Sequence, residues 1–289
     1  KYGVDQPDIT PVLDKVVGNY RQATRKRDKA IIRPDDWEAI ALGYWKAKKY
    51  GQASTAYTKA PRTPRNAYLA ALALQYAERP QRAKLAYKQM LHDFPHANET
   101  ATAILQLARI EPDIEVLPYL DRVISQFPNR AGEALLVKAE TLEKLGNPQA
   151  AEEIRQVLLT KYGNSEAASE YRWQVAQAKA TAGDLQAALQ WAKPILAFNP
   201  NAHLAREAGF WVGKWASKLG YRQEARAAFV QVIDRHPQSY YAWRSAVQLG
   251  WSVGDFTTVR ALDPQVVLPS QRPALPAGSP ALKELYQLG

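Results

Sequence analysis

Three stretches decide the fold: Trp37-Glu38-Ala39-Ile40-Ala41…Tyr44…Ala53…Tyr57…Ala60, then Ala83…Tyr87…Met90…Pro95, then Gly213…Gly220…Ala225…Phe229…Val232…Pro237. In each, an aromatic residue follows an alanine by four positions, a step that puts both on one face of a helix. Small residues stand where two helices have to touch, and two of the three stretches end on a proline. A proline or glycine closes a unit at Pro61, Pro95, Pro128, Gly163, Pro200 and Pro237, at intervals of 34, 33, 35, 37 and 37 residues. A self-similar period of this length marks stacked supersecondary units, none of which can bury its apolar face alone.

The period and its helix-turn-helix pattern resemble the tetratricopeptide repeat. The expected fold is all-α, an α-α superhelix (a TPR-like solenoid) of about six to seven helical hairpins over residues 1–262. Thr10-Pro11 reads as an N-cap and first-turn proline opening a helix to about Arg27. Pro34-Asp35-Asp36 opens the next, with Trp37, Ile40, Ala41, Tyr44 and Trp45 on a 3.6-residue period. Turns are expected at Gly51, Pro64, Arg79-Pro80, Gly146-Asn147-Pro148, Gly183-Asp184 and Gly220. Pro112 and Pro118 interrupt the third unit, so its first helix is expected to be short or bent. Ala41, Ala53, Ala83, Gly213 and Ala225 allow close approach, and Tyr44, Tyr57, Tyr87 and Phe229 fill the grooves. No stretch alternates polar and apolar residues long enough for a strand.

Residues 263–289 read differently. Pro264, Pro269, Pro273, Pro276 and Pro280 make an extended connector, and Ala281 to Gly289 restarts an apolar helical period. The chain opens Lys1-Tyr2-Gly3 with neither an initiator Met nor a signal-peptide pattern. Both ends fit a piece of a longer protein whose targeting segment has been removed.

The net charge of +10 is unevenly placed. Residues 1–93 carry 18 Lys/Arg against 9 Asp/Glu, residues 94–200 carry 10 against 13, and residues 201–289 carry 10 against 6. A basic first third suits an anionic partner, although a solvated helix face carries such charge too. The run Arg25-Lys26-Arg27-Asp28-Lys29 follows a helix end, where cations are favoured. With no cysteine there is neither disulfide nor thiolate metal site. No apolar run reaches 18 residues, so no transmembrane segment is expected.

Catalytic signatures are scarce. Pro95 separates His92 from His96 and breaks the helix on which an i, i+4 pair could ligate a metal. There is neither a Gly-rich phosphate loop nor a nucleophile elbow, and adjacent Glu152 and Glu153 point about 100° apart on a helix. No catalytic residue, metal site or cofactor is expected. Trp211 and Trp215 share a helix face, as do Trp173 and Gln177; such aromatics plug seams between helix pairs, or stack on sugars or bases. The carboxylate clamp of peptide-binding tetratricopeptide domains needs an inner Asn, but its positions here hold Ala39, Leu69 and Trp211. An adaptor of that kind is not expected.

The last third is more specific. Phe210-Trp211-Val212-Gly213-Lys214-Trp215, Gly220-Tyr221-Arg222-Gln223-Glu224-Ala225, and the stretch from His236 through Tyr240, Tyr241, Trp243 and Arg244 to Ala246 resemble the end of the helical domain of soluble lytic murein transglycosylases. Pro280 to Gly289 is similar to the stretch leading to that family's catalytic domain. The resemblance covers residues 201–289. It implies a non-catalytic scaffold that positions glycan strands or partner proteins for a lysozyme-like domain beyond Gly289, within an enzyme acting on peptidoglycan in the periplasm. The family's Glu-Ser pair and Gly-Leu-Met-Gln motif have no match here; Met90 lies between Gln89 and Leu91. The implied binding residues are Tyr240, Tyr241, Trp243 and Arg244, and the implied partners are peptidoglycan or cell-wall proteins. The alternative is a TPR protein-interaction scaffold unrelated to the wall. A third reading, RNA binding by a basic solenoid, is weaker, and nucleic acid is not an expected partner.

Overall fold

The computed structural model describes residues 10–25, 32–110 and 114–251. They are helical, and no strand occurs among them. The described residues fall into two compact units, one ending at Val116 and the other beginning at Leu117. This division lies inside the stretch expected to form one repeat region, 1–262. The expected connector and final helix, 263–289, lie outside the described residues, as do Pro112, Lys26, Arg27, Asp28 and Lys29.

The first unit holds α1 (Thr10–Arg25), α2 (Pro34–Lys46), α3 (Tyr50–Tyr57), α4 (Pro64–Tyr76), α5 (Pro80–Asp93) and α6 (Asn98–Ile110). Here α2 pairs with α3 and α4 with α5, while α6 lies against both α4 and α5. The second unit holds α7 (Leu117–Gln126), α8 (Ala131–Lys144), α9 (Pro148–Lys161), α10 (Glu166–Thr181), α11 (Leu185–Phe198), α12 (Ala205–Lys218), α13 (Arg222–Arg235) and α14 (Tyr240–Gln248). Its hairpins are α8–α9, α10–α11 and α12–α13, and α14 packs on α12 and α13. The architecture is all-α, a TPR-like tandem of helical hairpins. Five hairpins close within the two units; α6 and α7, the expected third pair, fall on either side of the division.

Local chemistry sets the helix ends. Pro34, Pro64, Pro80 and Pro148 occupy first turns, where the missing N–H costs nothing. Thr63, Asn147, Ser165, Asp184 and Ser239 cap α4, α9, α10, α11 and α14, each accepting a backbone N–H three residues on. The turns inside the hairpins share one device. Lys49, Arg79, Asn147, Asp184 and Tyr221 each donate a backbone N–H to the carbonyl five residues back, at 2.8 to 3.0 Å, and Trp251 does the same after α14. This closure needs a left-handed residue just before the donor. Gly146, Gly183, Gly220 and Gly250 supply it with φ between 71° and 85°, but in the first two hairpins Lys48 and Glu78 take it, each at φ 57°.

That device corrects one expected turn. Gly51 sits in the first turn of α3, and the turn itself runs through Lys48. The expected short first helix of the third unit is also corrected. α6 runs for 13 residues, whereas α7, with Pro118 in its first turn, has 10.

The buried residues follow the expected seams. Ala41, Ala53, Ala83 and Ala225 are buried, as are Tyr44, Tyr57, Tyr87 and Phe229. In the first unit Trp37, Ile40, Tyr44 and Tyr57 form one core; in the second, Leu135, Leu158 and Tyr171 form one, and Trp173, Leu189, Ile195, Phe210, Trp215 and Phe229 another. Polar side chains tie down the carbonyls of turns between hairpins: Asn66 Nδ2 donates to Pro61 O at 3.0 Å, and Arg172 Nη1 to Gly163 O. Buried carbonyls without such partners would be costly.

Candidate functional site

The four residues singled out in the sequence start α14. Ser239 caps that helix, its Oγ accepting the Ala242 N–H at 3.1 Å, and this fixes the side chains that follow. Tyr240 and Trp243, three apart, face the same way, with ring centroids 6.1 Å apart and planes 31° apart. Arg244, one turn after Tyr240, donates from Nη1 to its hydroxyl at 3.0 Å. The guanidinium also lies 5.6 Å from the Phe210 ring and 5.8 Å from the Tyr240 ring, a doubly satisfied cation–π position.

Tyr241 points inward. Its ring is 5.7 Å from Phe210, and burial pushes its phenol above the ordinary value, with the Glu207 carboxylate adding to the shift. Phe210 is thus the hub of the assembly. It touches Trp211 at 5.8 Å, Phe229 at 6.0 Å and Tyr241 of α14.

The ring contacts continue along α12 and α10. Trp211 and Trp215 lie 6.0 Å apart, and Trp215 stacks on Trp173 at 5.8 Å. Trp173 and Trp215 are buried and plug the seam between neighbouring hairpins. Trp211 is 38% exposed and Tyr240 44%, so these two carry the assembly to the surface. The structure therefore gathers Tyr241, Trp243 and Arg244 around Tyr240, with Tyr240 exposed and the other three partly buried.

The chemistry available is stacking, cation–π attraction and hydrogen bonding from Arg244. Among the described residues no group of three metal-capable side chains occurs. His92 lies 3.3 Å from the Asp93 carboxylate, and His236 Nε2 is 3.1 Å from Pro200 O, where it supports the turn between hairpins. Glu152 sits near Arg155 on the outside of α9. No helix among the described residues is long and apolar enough to cross a membrane.

Sequence reasoning missed Phe210 as the hub, because its partner Tyr241 is 31 positions away and no local pattern links them. It also missed a second aromatic group, Trp45, Tyr50 and Tyr76, described below.

No protein-family model matches the chain, and no curated protein matches it. Among solved structures it is similar to PilW, a "widely conserved type IV pilus biogenesis factor", at 21% identity and TM-score 0.43, over 73% of this chain and 97% of that one. It is also similar to PilF of Pseudomonas aeruginosa at 14% identity and TM-score 0.44, over 74% and 97% of the two chains. YrrB, "a TPR protein with an unusual peptide-binding site", is similar at 16% identity and TM-score 0.30, over 81% and 99%.

Proposed function

We propose that this chain is a non-catalytic TPR-like scaffold that holds a protein partner on the aromatic surface of α12 and α14. The observation that carries the reading is the Tyr240–Trp243–Arg244 surface, held rigid by the Arg244–Tyr240 hydrogen bond and the Phe210 ring beneath. Tyr, Trp and Arg are the residue types in which interface binding energy concentrates, and side chains ordered beforehand lose little entropy on binding. The test places a benzophenone amino acid at exposed Val247, one turn beyond Trp243 on α14, in the native host and identifies what it captures. A protein partner is expected, with capture lost in Trp243→Ala and Arg244→Ala although both variants melt as the parent does. Capture unaffected by either substitution removes the surface from its role.

A second reading is favoured by the sequence resemblance across residues 201–289, of which this same surface is a part. In it the chain is the helical portion of a peptidoglycan lytic transglycosylase in the cell envelope, exported to the periplasm. The near-parallel Tyr240 and Trp243 rings then take a sugar face, and the basic residues of the first third draw in the carboxylates of the wall polymer. Sedimentation with purified sacculi, at low and at physiological salt, separates the two readings. Binding at neither salt eliminates wall contact and leaves the protein scaffold.

A further inference from the structure

The turn ends of the first two hairpins carry a surface that the α12–α14 reading does not use. Trp45 stands in the last turn of α2, Tyr50 opens α3 and Tyr76 closes α4. Their rings form a mutual trio: Trp45 lies 5.4 Å from Tyr50 and 5.6 Å from Tyr76, both edge-on, and Tyr50 lies 5.2 Å from Tyr76. Tyr76 is 56% exposed, so the trio is open on one side.

Cations flank it along the chain. Lys46, Lys48 and Lys49 stand exposed in the first turn, and Arg79 and Arg82 in the second. The two turns adjoin: a Cβ built on Gly51, next to Tyr50, would lie 3.7 Å from the Arg79 guanidinium. None of these five cations has an ion-pair partner among the described residues. Within 45–50 and 76–82 the only carboxylate is Glu78. Arg79, Pro80, Gln81 and Arg82 also line an open depression of about 460 Å³. Pro80 starts α5 there, so the positive end of that helix adds to the field.

Unpaired charge of one sign beside an exposed aromatic is complementary to a ligand that is anionic and partly apolar. Ring geometry distinguishes between such ligands. Single-stranded nucleic acid needs free ring faces on which successive bases stack. Here the three rings pack on one another and only Tyr76 among them is exposed, so they present no row of faces for successive bases. The side of Tyr76 instead suits an aliphatic or aromatic side chain flanked by carboxylates.

We infer that the turn ends of the first two hairpins dock an acidic protein segment, its carboxylates on Lys46, Lys48, Lys49, Arg79 and Arg82 and an apolar side chain against Tyr76. This rests on the scaffold reading above but not on the α12–α14 surface.

The test uses the full chain and a fluorescent dodecapeptide in which Asp-Glu pairs alternate with Phe and Leu, carrying a central benzophenone. Its Asn/Gln counterpart and an oligouridine of equal length are run in parallel. The acidic peptide is expected to bind about tenfold tighter than its amide counterpart, to weaken with salt, and to cross-link within 45–50 or 76–82. A Lys46→Ser/Lys49→Ser double variant is expected to bind it about tenfold more weakly, and Lys46→Arg/Lys49→Arg to restore binding. Both pairs are exposed, and unchanged melting confirms that each variant folds. Equal binding of the two peptides, binding of neither, or parent-like binding by the Ser variant overturns the inference. Tighter binding of oligouridine overturns the partner class. Cross-links at 240–244 overturn the location and leave the scaffold reading standing. Cross-links at the turns with nothing captured from position 247 support the inference and remove the α12–α14 surface from its role.

Discussion

Gly213 of α12 sits directly over the Phe229 ring of α13. A Cβ built on Gly213 would lie 2.7 Å from both Cδ1 and Cζ of that ring, and closer still to Cε1. Phe229 has little room to retreat, because it is buried and its ring also meets Phe210 of α12, 6.0 Å away. Gly213→Ala is therefore expected to destabilise the chain by about 1–3 kcal/mol, the cost of overpacking, despite alanine's better helix propensity. Ala225→Leu, in the same seam, is expected to cost a similar amount. Urea unfolding measures both; a Gly213→Ala variant at least as stable as the parent refutes the close approach.

How much of this was legible depends on the range of the signal. Ala53 and Tyr57, or Ala225 and Phe229, are four apart, so helix period alone places them on one buried face. Gly146, Gly183 and Gly220 mark turns because glycine adopts the left-handed backbone without strain. Lys48 and Glu78 hold the same conformation without that chemical sign, and so the sequence pattern points to Gly51 instead. Tyr240, Trp243 and Arg244 share a helix and could be grouped from spacing. Phe210 with Tyr241, or Trp45 with Tyr76, meet only because hairpins stack, and a single sequence shows no trace of that pairing.

The same contrast gives a stabilising substitution. Lys48 and Glu78 occupy, at φ 57°, the positions where later turns have glycine. A left-handed non-glycine residue carries about 1–2 kcal/mol of strain, offset in part by the greater freedom glycine has when unfolded. Glu78→Gly is expected to raise stability by about 0.5–1 kcal/mol. It also removes the one carboxylate within 45–50 and 76–82, so acidic-peptide binding should tighten. A lower urea midpoint for Glu78→Gly contradicts the shared turn geometry.

Asp93 ends α5 within a small polar network. Arg62 Nη2 donates to its Oδ2 at 2.6 Å and Gln89 Nε2 to its Oδ1 at 2.9 Å, with His92 beside it. These hydrogen bonds, Arg62 first, hold the carboxyl at about 2, below its ordinary 3.8. The stabilisation is therefore present above pH 3.8 and lost as pH falls through about 2. In Arg62→Gln the Asp93 pKa is expected to move back toward 3.8, read by NMR titration of its side-chain carbon. An unmoved midpoint assigns the shift to something other than Arg62.

Burial of tyrosine phenols is expected to set the alkaline limit. Burial raises Tyr57, Tyr87, Tyr171 and Tyr241 above the ordinary 10.0, and Tyr87 most clearly. Each phenol stays protonated in the folded chain at a pH where its unfolded counterpart ionises. The stability this contributes is complete below pH 10.0 and disappears as pH rises through the folded values. Unfolding free energy is therefore expected to be flat toward pH 10.0 and then to fall, by up to about 1.4 kcal/mol per pH unit for each such group. Tyr87→Phe separates this linkage from packing. It removes the hydrogen bond from Tyr87 Oη to Gln75 Oε1, made at 3.0 Å, and should cost about 1 kcal/mol at neutral pH. With one ionisable phenol fewer in the core, its stability should decline less steeply above pH 10.0. Urea midpoints on either side of that pH decide the matter: parallel alkaline slopes in parent and variant exclude Tyr87 as a source of the decline.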